Sequence, residues 1–226
     1  MTFELSKIVS WGRMHDEYVR MFNLSDIDLK KKILSCADGP SGFNCYQSQK
    51  GYSVVSIDPT YQYSSREIRE QVLSVKAEVL TQLQKNLKVF VWNKFKSPEE
   101  LIDARINAME VFLKDYELGK KDGRYLSESL PKLSFMDKTF DIVLCSHFLF
   151  TYSTHLDTNF HIAAILEMLR VSSEVRVFPL LDLNGQPSIH VNDVLNELKQ
   201  RNIHSEILTV PYEIQCGGNQ MLRTIN

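Results

Sequence analysis

One acidic residue, Asp58, follows an apolar run in a position suited to binding a ligand. The run, residues 52–57, predicts a buried strand, and a second apolar run over residues 33–37 predicts another. A carboxylate only accepts hydrogen bonds and has two oxygens, so at the end of a strand it suits both hydroxyls of a ribose. Binding of this kind requires neighbouring elements that bring a ribose to Asp58.

The segment between the two apolar runs favours close approach of a ligand. Residues 38–42, Asp-Gly-Pro-Ser-Gly, predict a turn whose small side chains leave the backbone accessible and place free N–H groups near a ligand. Residues 43–50 predict a short helix that ends at Gly51, a favoured C-terminal cap. Strand, turn, helix, strand and terminal acid is the layout of a βαβ nucleotide-binding unit. The alternative is an ordinary tight turn followed by a solvated Asp58.

A long helical segment separates this unit from the next strand. The third strand is predicted only at residues 124–127, and residues 60–122 predict two helices. The first begins at a capping box, Ser64 and Glu67, and carries apolar residues on one face from Ile68 to Leu87. The second begins at residue 97, with proline in its first turn. These residues predict a helical insertion that caps the substrate end of the sheet.

A basic and aromatic segment, residues 85–96, joins the two helices. Such a composition is compatible with a nucleic-acid or anionic-substrate patch. The alternative, which we favour, is that Phe90, Trp92 and Phe95 pack the helices together while the lysines are solvated. The formal net charge of −2 provides no general attraction to nucleic acid or to an anionic membrane. No nucleic-acid or membrane partner is therefore indicated.

Two segments resemble motifs of class I S-adenosylmethionine-dependent methyltransferases. The turn after the first strand is similar to their first motif, which is an acid followed by a G-x-G-x-G run. This chain departs from the motif at three positions: Ser35 replaces the acid, Ala37 the first glycine and Ser41 the last glycine. Residues 133–143, LSFMDKTFDIV, are similar to the L-P-F-x-D-x-S-F-D-x-V segment that leads into their fourth strand. The chain as a whole also resembles a bacterial methyltransferase-like group that has no assigned substrate.

The remaining patterns agree with the fold that this resemblance implies. Further elements are a helix beginning at Asp157, a strand over 174–181, a helix over 191–201, and closing strands over 205–212 and 220–225. A closing antiparallel hairpin distinguishes the methyltransferase sheet from the dinucleotide-dehydrogenase sheet. We therefore predict an α/β fold, a three-layer αβα sandwich with a seven-stranded, mostly parallel sheet, an antiparallel C-terminal hairpin and a helical insertion after the second strand. Residues 1–226 would form a single domain, with an N-terminal helical segment over 1–31.

The resemblance also implies which residues would bind S-adenosylmethionine. The turn would contact the methionyl part through its backbone, Asp58 would bind the ribose diol with Pro59 beside it, and residues 129–130 would contact adenine. The end of the fourth strand would complete the site. The implied set is Ala37, Asp38, Gly39, Pro40, Asp58, Pro59, Ser129, Leu130, Cys145 and Ser146.

Catalysis of methyl transfer requires alignment more than a covalent residue, since the reaction is an in-line displacement. His147 is the side chain at the end of the fourth strand whose ordinary pKa suits proton transfer, so it is the candidate catalytic residue; the alternative is a histidine simply held by hydrogen bonds. Candidates for an acceptor pocket are Tyr61, Tyr152, Phe178 and Tyr212.

Three functions are compatible with these residues. The first is an S-adenosylmethionine-dependent methyltransferase acting on a small molecule. The second is a non-catalytic S-adenosylmethionine- or nucleotide-binding protein, which the departures at Ser35, Ala37 and Ser41 would allow. The third is an NAD(P)-linked oxidoreductase, which Asp58 would also suit, although G-x-G-x-x-G is missing. The acceptor and the oligomeric state stay open.

Composition sets further expectations. The four cysteines show neither a C-x-x-C pair nor zinc-ligand spacing, so we expect a reducing, cytoplasmic setting and no metal site. The first residues lack the apolar core of a signal peptide. The most apolar stretch, residues 140–152, contains polar side chains and is too short to span a bilayer.

Overall fold

The sheet of the computed structural model, which describes residues 11–226, contains seven strands. Their order is β3-β2-β1-β4-β5-β7-β6, and all are parallel except β7, which runs antiparallel to both neighbours. The strands are β1 (Ile33–Cys36), β2 (Val54–Ile57), β3 (Tyr125–Leu126), β4 (Phe140–Ser146), β5 (Ser172–Phe178), β6 (His204–Thr209) and β7 (Gln220–Ile225). The predicted fold class is confirmed.

Helices cover both faces of this sheet because its central strands are apolar on both sides. In β4, Val143 and Cys145 pack with α6 and α7, whereas Ile142 and Leu144 pack with α1 and α2. These helices are α1 (His15–Met21), α2 (Phe43–Gln49), α6 (Thr158–Val171) and α7 (Val191–Gln200). The N-terminal segment predicted over 1–31 thus contains α1, while residues 1–10 lie outside the described part of the chain.

Residues between β2 and β3 form three helices, α3 (Ser65–Ser74), α4 (Lys76–Lys85) and α5 (Pro98–Lys121). The prediction of one continuous helix from Ser64 to Leu87 is wrong. Ile68 and Val72 pack in a cluster beside the edge strand β3, whereas Val79 and Leu83 pack in a separate cluster. The helix breaks at residue 75 because its apolar face serves two clusters, and Leu87 is left 45% exposed.

The basic and aromatic segment, residues 85–96, packs against the protein. Phe95 is buried, and Phe90 and Trp92 pack against the same cluster as α4. The backbone pairs with the connection between β6 and β7, since the Val91 N–H donates to the Ile214 carbonyl at 2.8 Å. These contacts agree with the prediction that the aromatic side chains pack the helices together. They also place the insertion on the carboxyl side of the sheet.

A buried ion pair joins α1 to the insertion. Arg105 Nη1 of α5 lies 2.7 Å and 2.9 Å from the two carboxylate oxygens of Glu17, and the Tyr212 hydroxyl donates to the same carboxylate at 2.7 Å. Glu17 is 1% exposed and Arg105 is 5% exposed. Although burial opposes ionisation, the Arg105 guanidinium lowers the pKa of Glu17 to about 2. Three segments distant in sequence are therefore held at one point.

Replacing Glu17→Gln should destabilise the protein by about 3 kcal/mol at neutral pH, because Arg105 would stay buried without its counter-charge. The pKa of Glu17 is lower in the folded protein than its ordinary value of about 4.3, so the ion pair stabilises the fold above that pH and is lost as the pH falls towards 2. The difference between wild type and variant in the free energy of unfolding should therefore shrink with acidification.

Urea denaturation across this pH range measures that difference. Glu70→Gln is the matched control, because Glu70 is 62% exposed at its side chain and pairs with the exposed Arg66. Equal stability of wild type and Glu17→Gln at neutral pH would contradict the role given to this pair.

Candidate functional site

A cavity of about 430 Å³ opens at the carboxyl ends of β1, β2, β4 and β5. β1 and β4 are neighbours in the sheet, yet the chain leaves them in opposite directions, so the cavity lies at the topological switch point where open α/β sheets bind ligands. Its volume falls within the range of about 300–1,000 Å³ that is typical of small-molecule sites.

The turn after β1 forms the floor of one end of the cavity. Ala37 and Gly39, which both line the cavity, have positive φ angles of 52° and 55°. Such a backbone suits glycine and is unusual for alanine. The prediction of free N–H groups is wrong here: the N–H of Asp38 donates to the Ile57 carbonyl at 3.3 Å, and that of Gly39 donates to Asp58 Oδ2 at 3.0 Å. Hydrogen bonds to neighbouring strands and side chains therefore hold the turn in place.

Asp38 carries a buried carboxylate that is bound by hydroxyl groups alone. It accepts hydrogen bonds from the Tyr18 hydroxyl, from Ser35 Oγ at 2.6 Å and from Ser56 Oγ at 2.6 Å. Among residues 11–226 no Lys, Arg or His nitrogen lies within 4.0 Å of it, and burial raises its pKa. Ser35 thus donates to an acid three residues further on.

Asp58 is a second buried carboxylate in the cavity wall. Its Oδ1 accepts from the Thr60 N–H at 2.8 Å and from Thr60 Oγ1 at 2.6 Å, and its Oδ2 accepts from the Gly39 N–H. Burial raises the pKa of Asp58. A carboxylate has about four acceptor positions, so one of them, on Oδ2, stays available to a ligand.

Most of the predicted binding residues line this cavity. Besides the two carboxylates and the turn, Pro59, Ser129, Leu130 and Ser146 are found there. Pro40 and Cys145 are the exceptions. Cys145 points to the opposite face of β4 and packs in the core with α6, while the Pro40 carbonyl lies against Gly12 beneath the turn. Successive side chains of a strand point to opposite faces, so Cys145 faces the core where Ser146 lines the cavity.

His147 also lines the cavity, with a strained backbone at φ 48°. Its ring atom Nδ1 lies 2.9 Å from Ser146 Oγ, and its backbone N–H donates to the Phe178 carbonyl at 2.6 Å. The imidazole ring also packs edge-on against the Phe178 ring. Burial and the nearby Arg13 and Arg105 guanidinium groups lower the pKa of His147 well below 6.5. The imidazole is therefore neutral at neutral pH and is a weak base.

The other end of the cavity contains residues that sequence reasoning missed. Arg13 and Trp11 precede α1, Arg105 comes from α5, and Thr151 follows β4. Nothing in their sequence context marks them, because their only common property is spatial proximity. Three of the four predicted acceptor-pocket aromatics, Tyr152, Phe178 and Tyr212, line this end. Tyr61 lies under the turn instead, where its hydroxyl donates to the Gly39 carbonyl at 2.6 Å.

Comparison with solved structures finds methyltransferases at low sequence identity. Magnesium protoporphyrin IX methyltransferase of Synechocystis PCC 6803, solved with bound S-adenosylmethionine, is 13% identical, with a TM-score of 0.46 over 89% of this chain and 73% of that one. An S-adenosylmethionine-dependent methyltransferase of Aquifex aeolicus is 16% identical, with a TM-score of 0.44 over 92% and 90% of the two chains. No family model matches the sequence.

Sequence comparison gives a relative across nearly the whole chain. The uncharacterized protein MJ0045 of Methanocaldococcus jannaschii is 38% identical over 221 residues, which cover 96% of each chain. Such identity over such a length means that both chains share one fold and one ancestry. The chain belongs to the same protein family as MJ0045.

Proposed function

We propose that the protein is an S-adenosylmethionine-dependent methyltransferase that acts on a small molecule. The observation that carries this proposal is the pair of buried carboxylates, Asp38 and Asp58, which line one end of the cavity and have no cationic partner among residues 11–226. Buried charges of this kind are costly unless they are paired. S-adenosylmethionine would supply an ammonium group, a sulfonium and a ribose diol to such a site.

Asp38 favours this ligand over a dinucleotide. A diphosphate binds at the turn after the first strand through free N–H groups, and it is repelled by a carboxylate. Here the N–H groups of Asp38 and Gly39 are already bonded, and the Asp38 carboxylate stands beside them. In the proposed complex Asp38 binds the ammonium of the methionyl part, which offsets the cost of its burial. The carboxylate thus takes over the role of the acid that Ser35 replaces.

Asp58 would bind the ribose. Its Oδ2 has an acceptor position available for one hydroxyl, and the second hydroxyl would take the place of Thr60 Oγ1 on Oδ1. Ser129 and Leu130 would flank the base, since they line the cavity next to Pro59. These residues hold the ligand and its orientation.

His147 lines the cavity, and its Nδ1 lies 2.9 Å from Ser146 Oγ. When bound, S-adenosylmethionine supplies an electrophilic methyl group on a positively charged sulfur. A neutral imidazole accepts a proton from an acceptor hydroxyl or amine, and Ser146 fixes its orientation through Nδ1. The insertion and the connection between β6 and β7 would exclude water from the reacting atoms.

Asp58→Ala should weaken binding of S-adenosylhomocysteine by tenfold or more, because hydrogen bonds to a charged group contribute about 1.5–3 kcal/mol each. Isothermal titration calorimetry measures this affinity, and a parallel titration with NAD⁺ tests the alternative ligand. Asp103→Ala is the control variant, because Asp103 is an exposed acid of the insertion. Asp58→Asn, which keeps an acceptor for Thr60, separates loss of charge from loss of the turn. Unchanged affinity in Asp58→Ala, or binding of NAD⁺ alone, would refute the proposal.

Asp38→Asn should stabilise the ligand-free protein while it weakens S-adenosylhomocysteine binding. Burial raises the pKa of Asp38 in the folded protein above the ordinary value of about 3.9, so at neutral pH the ionised carboxylate destabilises the fold. The advantage of the variant should be present at neutral pH and vanish below about pH 4, where Asp38 is protonated in both folded and unfolded chains. A gain of about 1 kcal/mol would raise the Tm by about 2–4 °C.

Thermal unfolding of both proteins between neutral and acidic pH, with and without S-adenosylhomocysteine, measures these opposite effects. Asp103→Asn serves as the control, since its side chain is 75% exposed. A variant that is less stable without ligand and binds as well as wild type would show that Asp38 has only a structural role.

His147→Gln should lower turnover without changing the affinity for S-adenosylhomocysteine, because the side chain is placed to accept a proton rather than to hold the ligand. Release of S-adenosylhomocysteine during incubation of the enzyme with S-adenosylmethionine and candidate acceptors reports turnover. Full activity of this variant would remove His147 from the mechanism.

A further inference from the structure

We propose that the methyl acceptor is a small molecule with an apolar body and an anionic group, a carboxylate or a phosphate, and that Arg13 binds this group. The inference rests on the proposed function, because it places the acceptor in the part of the cavity that S-adenosylmethionine would leave open.

The acceptor end of the cavity is mostly apolar. Its walls come from the insertion and from the connection between β6 and β7, two segments that meet through the backbone hydrogen bond from Val91 to Ile214. The apolar side chains that line it include Val79, Leu83, Phe90, Leu101, Ile102 and Ile214. Burial of an apolar body against them supplies affinity without fixing orientation.

Arg13 is a charged group of this end, and the described residues, 11–226, give its guanidinium no direct counter-charge. Its guanidinium makes one hydrogen bond among residues 11–226, from Nη1 to the Trp11 carbonyl at 3.0 Å, and its buried Nε has no partner. No carboxylate of these residues lies within 4.0 Å of it. Arg105 differs, because Glu17 binds it directly. A guanidinium has five N–H donors, so Arg13 can still bind a carboxylate or phosphate through two of them.

Two further polar groups of the same end also lack partners. Trp11 Nε1 and Thr151 Oγ1 are both buried without a hydrogen bond, and both residues line the cavity together with Arg13. Unmade hydrogen bonds of buried donors are costly. Indole, guanidinium and hydroxyl groups all donate, whereas a carboxylate or phosphate only accepts, so an anion satisfies all three. An ammonium would offer more donors and would be repelled by Arg13.

The charges around Glu17 do not remove this excess. Lys94 lies 3.9 Å from Glu17 and 2.8 Å from Asp16, so the two carboxylates of α1 are already shared by Lys94 and Arg105. Within residues 11–226, Arg13 is therefore a partly buried positive charge that has no carboxylate in direct contact. Arg13 and His147 line the same cavity, so an acceptor anion bound to Arg13 would share that cavity with His147.

The test uses wild type saturated with S-adenosylhomocysteine and three probes that share a benzyl group: phenylacetate, benzyl phosphate and the uncharged phenylacetamide. Calorimetric titration should show at least one of the anions binding tenfold or more tightly than phenylacetamide. In ¹⁵N-edited NMR spectra the chain gives two indole N–H signals, one for each tryptophan. The Trp11 signal should shift with the anion, while the Trp92 signal, whose N–H donates to Leu87, should not.

Arg13→Met should abolish the preference for the anion and leave the affinity for S-adenosylhomocysteine unchanged. Arg20→Met is the matched control, because Arg20 lies outside the cavity lining on α1 and pairs with exposed Asp16. Arg105→Met is unsuitable, since it would leave Glu17 buried and unpaired.

The outcomes separate the two proposals. If S-adenosylhomocysteine binds wild type but neither anion binds more tightly than phenylacetamide, the anionic acceptor is refuted and the proposed function stands. If Arg13→Met weakens S-adenosylhomocysteine itself, Arg13 binds the carboxylate of the cofactor and this inference is overturned. If wild type does not bind S-adenosylhomocysteine, the proposed function fails and the anion is not a methyl acceptor.

Discussion

The buried carboxylate of Asp38 is the constraint around which the site is arranged. Its donors come from three elements, Tyr18 in α1, Ser35 in β1 and Ser56 in β2, so one side chain ties the first helix to the centre of the sheet. Hydroxyl groups offset only part of the cost of burying a charge. A cationic ligand would offset the remaining free-energy cost of burying this charge. Functional sites commonly contain such locally unfavourable features.

The buried ion pair of Glu17 and Arg105 connects separate segments at the acceptor end of the cavity, as the Asp38 carboxylate does at the cofactor end. It fixes α5 and Tyr212 against α1 and so closes the cavity between segments that are far apart in the chain. Among residues 11–226 the cavity lining contains the carboxylates of Asp38 and Asp58 without a cationic partner and the guanidinium of Arg13 without a carboxylate within 4.0 Å. A site of this kind can orient a ligand pair of opposite charge along one axis.

Much of the fold was predictable because it depends on local patterns. Apolar runs marked β1, β2, β4 and β5, and capping residues marked the starts of α3, α5 and α6. The positions of Asp58 and Ser146 followed from the rule that carboxyl ends of parallel strands meet at one edge, whereas Ser129 was predicted from the resemblance to methyltransferases. The break in the helix after Ser74 was not predictable, since it arises from two clusters that the sequence does not separate. The hydrogen bonds from Tyr18 and Ser56 to Asp38, and the presence of Arg13 and Thr151 in one cavity, depend on tertiary packing.

A crystal structure with S-adenosylhomocysteine tests the central claim most directly. The account predicts the ligand in this cavity, with its ammonium on the Asp38 carboxylate, a ribose hydroxyl on Asp58 Oδ2, and its sulfur facing His147 and Arg13. An adenosine that lies at the far end, or an ammonium directed away from Asp38, would contradict it.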